Sequence, residues 1–261
     1  MREVIQRAKS SKNILLFLDY DGTLVPIKRS PQLALLPPLK RNLLISLAEK
    51  FFLCIVSGRS LSEIQKYVGI QDISYIGNHG LEICLKNRHW THPQAVEIKP
   101  ILHKTLRTIK SKIKDFRGAS VEDKGLTASI HYRLLPRNRR RQISEIVKEE
   151  TAFKSRWLKV AEGKMVFEIK PNIDWDKGKG VLKLLRWLNL KEEPLLIYIG
   201  DDETDESAFG TLDGMGLTIV VARKRNSSAH YRFGNVKEVW QFLKTLKKLK
   251  NNFFLCSARR P

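Results

Sequence analysis

Apolar residues along this chain follow two patterns. Short runs occur at Ile14–Leu18, Phe51–Val56 and Pro194–Ile199, all unbroken, and at Ile73–Ile76 and Leu217–Val221, each with one hydroxyl residue inside. They are too short to predict helices, and read as strands buried on both faces. Between them, apolar residues recur at helical spacing, as in Leu39, Leu43, Leu44 and Leu47 within Leu39–Lys50. Leu61–Val68, Gly178–Leu188 and Val236–Leu249 read the same way, and Pro37-Pro38 suits a helix start. Strand and helix alternate, which is the signature of parallel βαβ units and an α/β fold.

The pattern changes after about Leu85. Pro100–Phe116 predicts a helix from Ile101, Leu102, Leu106, Ile109 and Ile113, and Arg137–Glu150 predicts another. Ala119–Asp123 and Leu126–Leu134 alternate like strands joined through Lys124-Gly125. Arg156–Ala161 and Lys164–Ile169 predict a second hairpin through Glu162-Gly163. The order αββαββ is an antiparallel α+β module, expected as an insertion at 86–170 within a core of residues 1–85 and 171–250. The tail 251–261, with Phe253, Phe254 and Leu255, falls outside both patterns.

Composition adds little to this except charge. The 261 residues suffice for a sizeable core, and the formal net charge is +21. Nucleic acid, an anionic surface or an anionic small substrate would each suit that charge. The basic residues are spread along the chain, and the dense stretches Arg137–Arg141 and Lys244–Lys250 lack interleaved aromatics. A solvated basic face is therefore preferred to a base-stacking surface, and no nucleic-acid partner is expected. Cys54, Cys84 and Cys256 show no Cys-x-x-Cys spacing and are expected to be small core hydrophobes in a reducing compartment. Met1–Asn13 is charged, with no apolar leader region, and no run is long enough to span a membrane. The expected setting is cytoplasmic, without a membrane partner.

The chemistry collects at strand ends. The first strand runs into Asp19-Tyr20-Asp21-Gly22-Thr23. Two carboxylates at one strand end repel each other, and a hard cation such as Mg²⁺ is their natural companion. Gly22 allows a sharp turn, while Thr23 offers a hydroxyl and an N–H to an anion. Other strands end in Ser57-Gly58-Arg59 and in Gly200-Asp201-Asp202-Glu203-Thr204-Asp205, and Lys177 opens the helix after the insertion. Taken singly, these read as a turn, an acidic helix start and a solvated lysine. Gathered at the ends of one sheet, they meet the needs of phosphoryl transfer: nucleophile, proton donor, cation and phosphate-binding groups.

In the insertion, Glu122 and Lys124 share one strand face. Lys164, Val166 and Glu168 share a face opposite Met165, Phe167 and Ile169. The apolar faces should rest on the two helices, leaving acids and lysines turned outward toward the catalytic cleft. That mixture suits sugar hydroxyls, with cross-strand ion pairs on a solvated sheet as an equal alternative.

Asp19-Tyr-Asp-Gly-Thr, Ser57-Gly-Arg, Lys177 and Gly200-Asp-Asp-x-Thr-Asp resemble the four motifs of the haloacid-dehalogenase-like phosphatases. The resemblance implies a Rossmann-like core with Asp19 as nucleophile and Asp21 as general acid/base. It also implies Mg²⁺ held by the Asp19 carboxylate, the Asp21 main-chain carbonyl and Asp201. Thr23, Ser57, Gly58, Arg59 and the catalytic Lys177 would bind the phosphoryl group, with Arg59 beside it and Lys177 also shielding Asp19. Either Asp202 or Asp205 would orient a metal water or Lys177.

Gly77-Asn-His-Gly-Leu-Glu, Val121-Glu-Asp-Lys with His131-Tyr-Arg, and Gly163-Lys-x-Val-Phe-Glu-Ile-Lys-Pro resemble the trehalose-6-phosphate phosphatase family, across Ile14–Leu243. This implies trehalose biosynthesis, with the insertion as a substrate cap. Glu122, Lys124, Lys164 and Glu168 would grip the sugar, with Asn78 and His79 near the cleft mouth. A monomer is expected, acting on a sugar phosphate beside a trehalose-6-phosphate synthase. Lys170 departs from the arginine often expected before Pro171. The alternatives are a phosphatase for sucrose phosphate or mannosylphosphoglycerate, and a basic nucleic-acid-binding module.

Overall fold

The computed structural model describes residues 2–28, 31–163, 165–190, 192–222 and 226–249. The chain forms two compact units: one holds the described residues up to Trp90 and from Trp175 onward, and the other is Thr91–Asp174. The first unit opens with α1 (Arg2–Ser10), β1 (Ile14–Asp19), α2 (Pro38–Ala48), β2 (Phe52–Val56), α3 (Leu61–Val68), β3 (Ser74–Gly77), β4 (Glu82–Leu85) and β5 (Arg88–Thr91). The second unit follows with α4 (Pro93–Lys112), β6 (Ser120–Asp123), β7 (Ala128–His131), α5 (Arg140–Ala152), β8 (Leu158–Gly163) and β9 (Val166–Pro171). The chain then completes the first unit with α6 (Lys177–Leu188), β10 (Leu195–Gly200), α7 (Glu203–Thr211), β11 (Gly216–Val221), β12 (Tyr231–Phe233) and α8 (Val236–Lys247).

The first unit is built on one sheet of order β12-β11-β10-β1-β2-β3-β4-β5. Its strands pair in parallel from β12 to β3, and β4 lies antiparallel on β3. Burial on both faces explains the unbroken apolar runs. Ile14, Leu16 and Leu18 of β1 pack with α1, α2, α3 and α8, while Leu15 and Phe17 pack with α6 and α7. Each such side chain contributes about 1.5–3 kcal/mol on burial, so β1 leaves no room for a polar residue before its last position. Strand order reverses at β1, which lies between β2 and β10. Open parallel sheets bind ligands at the carboxyl ends of strands beside such a reversal.

In the second unit, an antiparallel sheet of order β6-β7-β9-β8 turns one face to α4 and α5. Ile130, Phe167 and Ile169 pack there against Leu102, Leu106, Ile109, Ile143 and Val147.

Several boundaries differ from the sequence expectation. The β4–β5 hairpin extends the first sheet past Leu85, so the units part at Trp90 and Trp175 rather than at 86 and 170. Helix α4 starts at Pro93, and Pro100 lies inside it instead of opening it. Proline at a first helical position loses no hydrogen bond, which makes Pro93 the natural start. Gly163 pairs with Val166, so the second hairpin turns after Gly163 and not at Glu162-Gly163. Helix α1 and strands β4, β5 and β12 were not expected. Cys54 and Cys84 are buried free thiols. Lys164, Lys250 and the tail 251–261 with Cys256 lie outside the described residues. Among those described, no helix is long and apolar enough to cross a membrane.

Candidate active site

Strand β1 delivers Asp19 to the point where strand order reverses, with its side chain buried. Lys177, the first residue of α6, donates from Nζ to Asp19 Oδ1 at 2.9 Å and to Asp205 Oδ1 at 2.8 Å. A lysine at a helix N-terminus opposes the helix dipole, and a buried one needs anionic partners. Here two carboxylates supply them, and they raise the lysine's pKa despite its burial. The helix itself is capped by Asp176, whose carboxylate accepts from Lys179 N at 2.9 Å.

Asp205 is the most heavily bonded carboxylate of the group. Its Oδ1 also accepts from the Tyr198 hydroxyl at 2.7 Å, and its Oδ2 accepts from the main-chain N–H of Asp201 and of Asp202, each at 3.0 Å. Asp202 is the N-cap of α7 and accepts from Glu203 N. Asp205 therefore orients Lys177, and Asp202 shapes the helix start.

One oxygen of Asp19 is left over. Asp19 Oδ2 is buried and makes no hydrogen bond among the described residues, and the same holds for Thr23 Oγ1. Ligand atoms of Asp19, Asp201 and Asp205 lie within 4.8 Å of one another. Burial and the neighbouring Asp205 and Asp202 carboxylates push the Asp201 pKa up to about 7. Burial also raises the Asp19 pKa, with Lys177 pulling it the other way. Crowded carboxylates with an unpaired buried oxygen fit a divalent metal, which would relieve this repulsion. Because both Asp205 oxygens are already engaged, Asp19 and Asp201 are the side chains best suited to hold it.

The turn after β1 brings these groups together. Gly22 has a φ of +90°, and a Cβ there would lie 2.1 Å from Asp201 Oδ2. Only glycine lets the turn pass so close to that carboxylate. Ser57 is buried at the end of β2, and its Oγ accepts from Arg59 N at 3.1 Å. Gly58 lies against the His79 ring, where an added Cβ would come within 2.5 Å. His79 N donates to Ser57 O at 3.1 Å and Asn78 N to Arg59 O at 2.6 Å, which ties the loops after β2 and β3 together.

Two residues take up places other than those expected. Asn78 has no exposed surface and donates from Nδ2 to Glu82 Oε2 at 2.6 Å, so it braces the loop from within rather than lining a cleft mouth. Arg59 is also buried, and its Nε and Nη2 donate to the two Asp21 oxygens at 2.7 and 2.9 Å. Its Nη1 donates to Glu63 Oε1 at 3.0 Å. The guanidinium is thus directed at Asp21.

The second unit carries its own polar face. Register places Glu122 opposite Ser129 and Ser129 opposite Glu168, in one row across the sheet. Lys124 Nζ reaches Glu168 at 3.5 Å, Ser129 Oγ donates to Glu168 Oε1 at 2.6 Å, and His131 Nε2 meets Glu122 Oε2 at 2.6 Å. Glu122, Lys124 and Glu168 therefore share a face, as the alternation implied; Lys164 lies outside the described residues.

Sequence reasoning missed Tyr198, Glu63, Glu82, Ser129 and the Glu122 partnership of His131. Tyr198 hides in an apolar strand, although a buried tyrosine hydroxyl always calls for a partner. Glu63 stands four residues beyond Arg59, a spacing that pairs side chains along a helix.

The family model described as trehalose-phosphatase matches residues 17–238. Trehalose-phosphate phosphatase B of Arabidopsis thaliana is 33% identical over 262 residues, covering 95% of this chain and 70% of its own. The crystal structure of a trehalose-6-phosphate phosphatase related protein superposes with a TM-score of 0.79 at 27% identity, over 89% of this chain and 96% of that one. A haloacid dehalogenase-like hydrolase from Bacteroides thetaiotaomicron shares the fold, with a TM-score of 0.63 at 16% identity over 89% of this chain and 99% of that one.

Proposed function

The chain belongs to the trehalose-phosphatase family of phosphoric monoester hydrolases, and from that premise we propose how its residues hydrolyse trehalose 6-phosphate to trehalose and phosphate. The observation that carries the reading is Asp19: a buried carboxylate with one oxygen fixed by Lys177 and the other without a hydrogen bond among the described residues. An Asp19 carboxylate oxygen attacks phosphorus, the bond from phosphorus to the sugar oxygen breaks, and Asp21 gives the leaving oxygen its proton. Asp21 then takes a proton from water, whose oxygen attacks the aspartyl-phosphate and frees phosphate and Asp19.

Lys177, held by Asp205, neutralises the phosphoryl oxygens, and Thr23, Ser57 and the Gly58 main chain bind them. Mg²⁺ suits the site, held by Asp19, Asp201 and the Asp21 main-chain carbonyl; it would supply positive charge against the phosphoryl oxygens. Glu122, Lys124, Lys164 and Glu168 bind the sugar, and His79 contributes near the phosphate loops. The reading includes a cytoplasmic monomer fed by a trehalose-6-phosphate synthase, and the buried free thiols Cys54 and Cys84 agree with a reducing compartment.

The test is phosphate release, with Mg²⁺ present, from trehalose 6-phosphate, sucrose 6-phosphate, mannosylphosphoglycerate and glucose 6-phosphate. A strong preference for trehalose 6-phosphate is expected. Preference for another member of the panel would keep the chemistry and discard the substrate. No release from any would return the basic surface to consideration as a binding module.

A further inference from the structure

We propose that Arg59 is the positioning residue of Asp21 and not a phosphate ligand. The inference rests on the reading of Asp21 as general acid/base. Arg59 presents a two-pronged fork to both Asp21 oxygens, with Nε to Oδ2 at 2.7 Å and Nη2 to Oδ1 at 2.9 Å. That bidentate geometry fixes the plane of a carboxylate as well as its position, which a lysine cannot do. The remaining terminal nitrogen is bound by Glu63 Oε1 at 3.0 Å.

The fork is itself held rigid. Arg59's side chain is only 6% exposed, whereas that of Asp21 is 38% exposed. Tyr67 lies under the guanidinium at 4.5 Å and Tyr20 at 5.7 Å. The Arg59 main chain is tied as well, with its N–H to Ser57 Oγ and its carbonyl to Asn78 N. Two of the three guanidinium nitrogens are spent on Asp21, and that carboxylate is the more accessible of the two groups. Arg59 thus fixes the plane and position from which Asp21 passes its proton to the leaving sugar oxygen.

The two roles are separated by the leaving group. A sugar alkoxide needs a proton to depart, while 4-nitrophenolate departs without one. The ratio kcat/KM reads the steps up to and including transfer to Asp19. Arg59→Lys is therefore compared with the parent protein on trehalose 6-phosphate and on 4-nitrophenyl phosphate, with inhibition by inorganic phosphate measured alongside. The expected result is a loss of about 10²-fold on the sugar phosphate, of the order that general acid catalysis supplies. The aryl ester and phosphate inhibition should be unchanged. Asp21→Asn should show the same split, and adding Arg59→Lys to it should cost little more.

Equal loss on both substrates, with weaker phosphate inhibition, would overturn the proposal and make Arg59 a phosphate ligand. If Arg59→Lys splits the substrates but Asp21→Asn does not, the assignment of Asp21 fails, and the positioning role with it. Should Arg59→Lys fail to fold, Glu63→Gln removes the outer brace while leaving the fork. It should produce a smaller split of the same sign, and no split would count against the proposal.

Discussion

The charged groups of the two units are built in opposite ways. In the first, Asp19, Lys177 and Asp205 are buried, and Asp205 alone accepts four hydrogen bonds. In the second, the ions are only partly covered and loosely paired: His131 and Glu122 are 30% and 21% exposed, Lys124 and Glu168 are 9% and 19% exposed, and Lys124 meets Glu168 only at 3.5 Å. A buried charge network has one arrangement because an unpaired member is so costly. A partly exposed one with longer contacts can exchange partners at lower cost. Reaction chemistry requires the first kind of site, and recognition of many hydroxyls is served by the second.

Removing Lys177 should break this contrast most severely. Lys177→Met leaves two buried carboxylates facing each other, and a loss of about 3–5 kcal/mol in stability is expected by urea titration. Turnover should fall by about 10²–10³-fold even where the protein remains folded. Gly22→Ala should come next. It forces a side chain into a φ of +90° and against Asp201, with an expected cost of about 1–3 kcal/mol. Weakened activation by Mg²⁺ should accompany it in a metal titration.

Lys124→Ala should sharpen the comparison from the other side. Thermal stability should fall by less than in Lys177→Met, because Lys124 meets Glu168 only at 3.5 Å whereas Lys177 bonds two buried carboxylates at 2.9 and 2.8 Å. KM for the sugar phosphate should rise roughly tenfold, equivalent to about 1.4 kcal/mol, with kcat little altered. The same change in kcat alone would place Lys124 in the chemistry and undo the distinction.

The smallest effect concerns pH. Burial raises the pKa of Glu122, but its hydrogen bond to His131 and the nearby Lys124 outweigh this, leaving it below the ordinary value of 4.5. A carboxylate whose pKa is lowered by folding stabilises the folded state above its unfolded pKa. That contribution should be present above about pH 4.5 and disappear as pH falls through the folded value. Melting curves of Glu122→Gln should lose this acid dependence; an unchanged pH profile would mean that the His131 contact contributes nothing.

The sequence made the first unit legible where its strands are buried on both faces, because β1, β2 and β10 then become unbroken apolar runs. Asp19, Ser57, Lys177 and Asp201 were readable because their motifs stand at those strand ends. Less was visible where structure depends on distant partners. The β4–β5 hairpin has short strands of mixed composition, and Pro100 obscured a helix already begun at Pro93. What Asn78 and Arg59 touch, Glu82 and Asp21, follows only from the folding of the loops onto each other. Tyr198 looked like any aromatic in a strand until Asp205 was found against its hydroxyl.

The most direct test of the account is to quench the enzyme with acid while it turns over trehalose 6-phosphate, then digest and weigh its peptides. The prediction is one phosphoryl group on Asp19, with both the adduct and turnover lost in Asp19→Asn. A phosphoryl group on another residue, or undiminished turnover by Asp19→Asn, would contradict it.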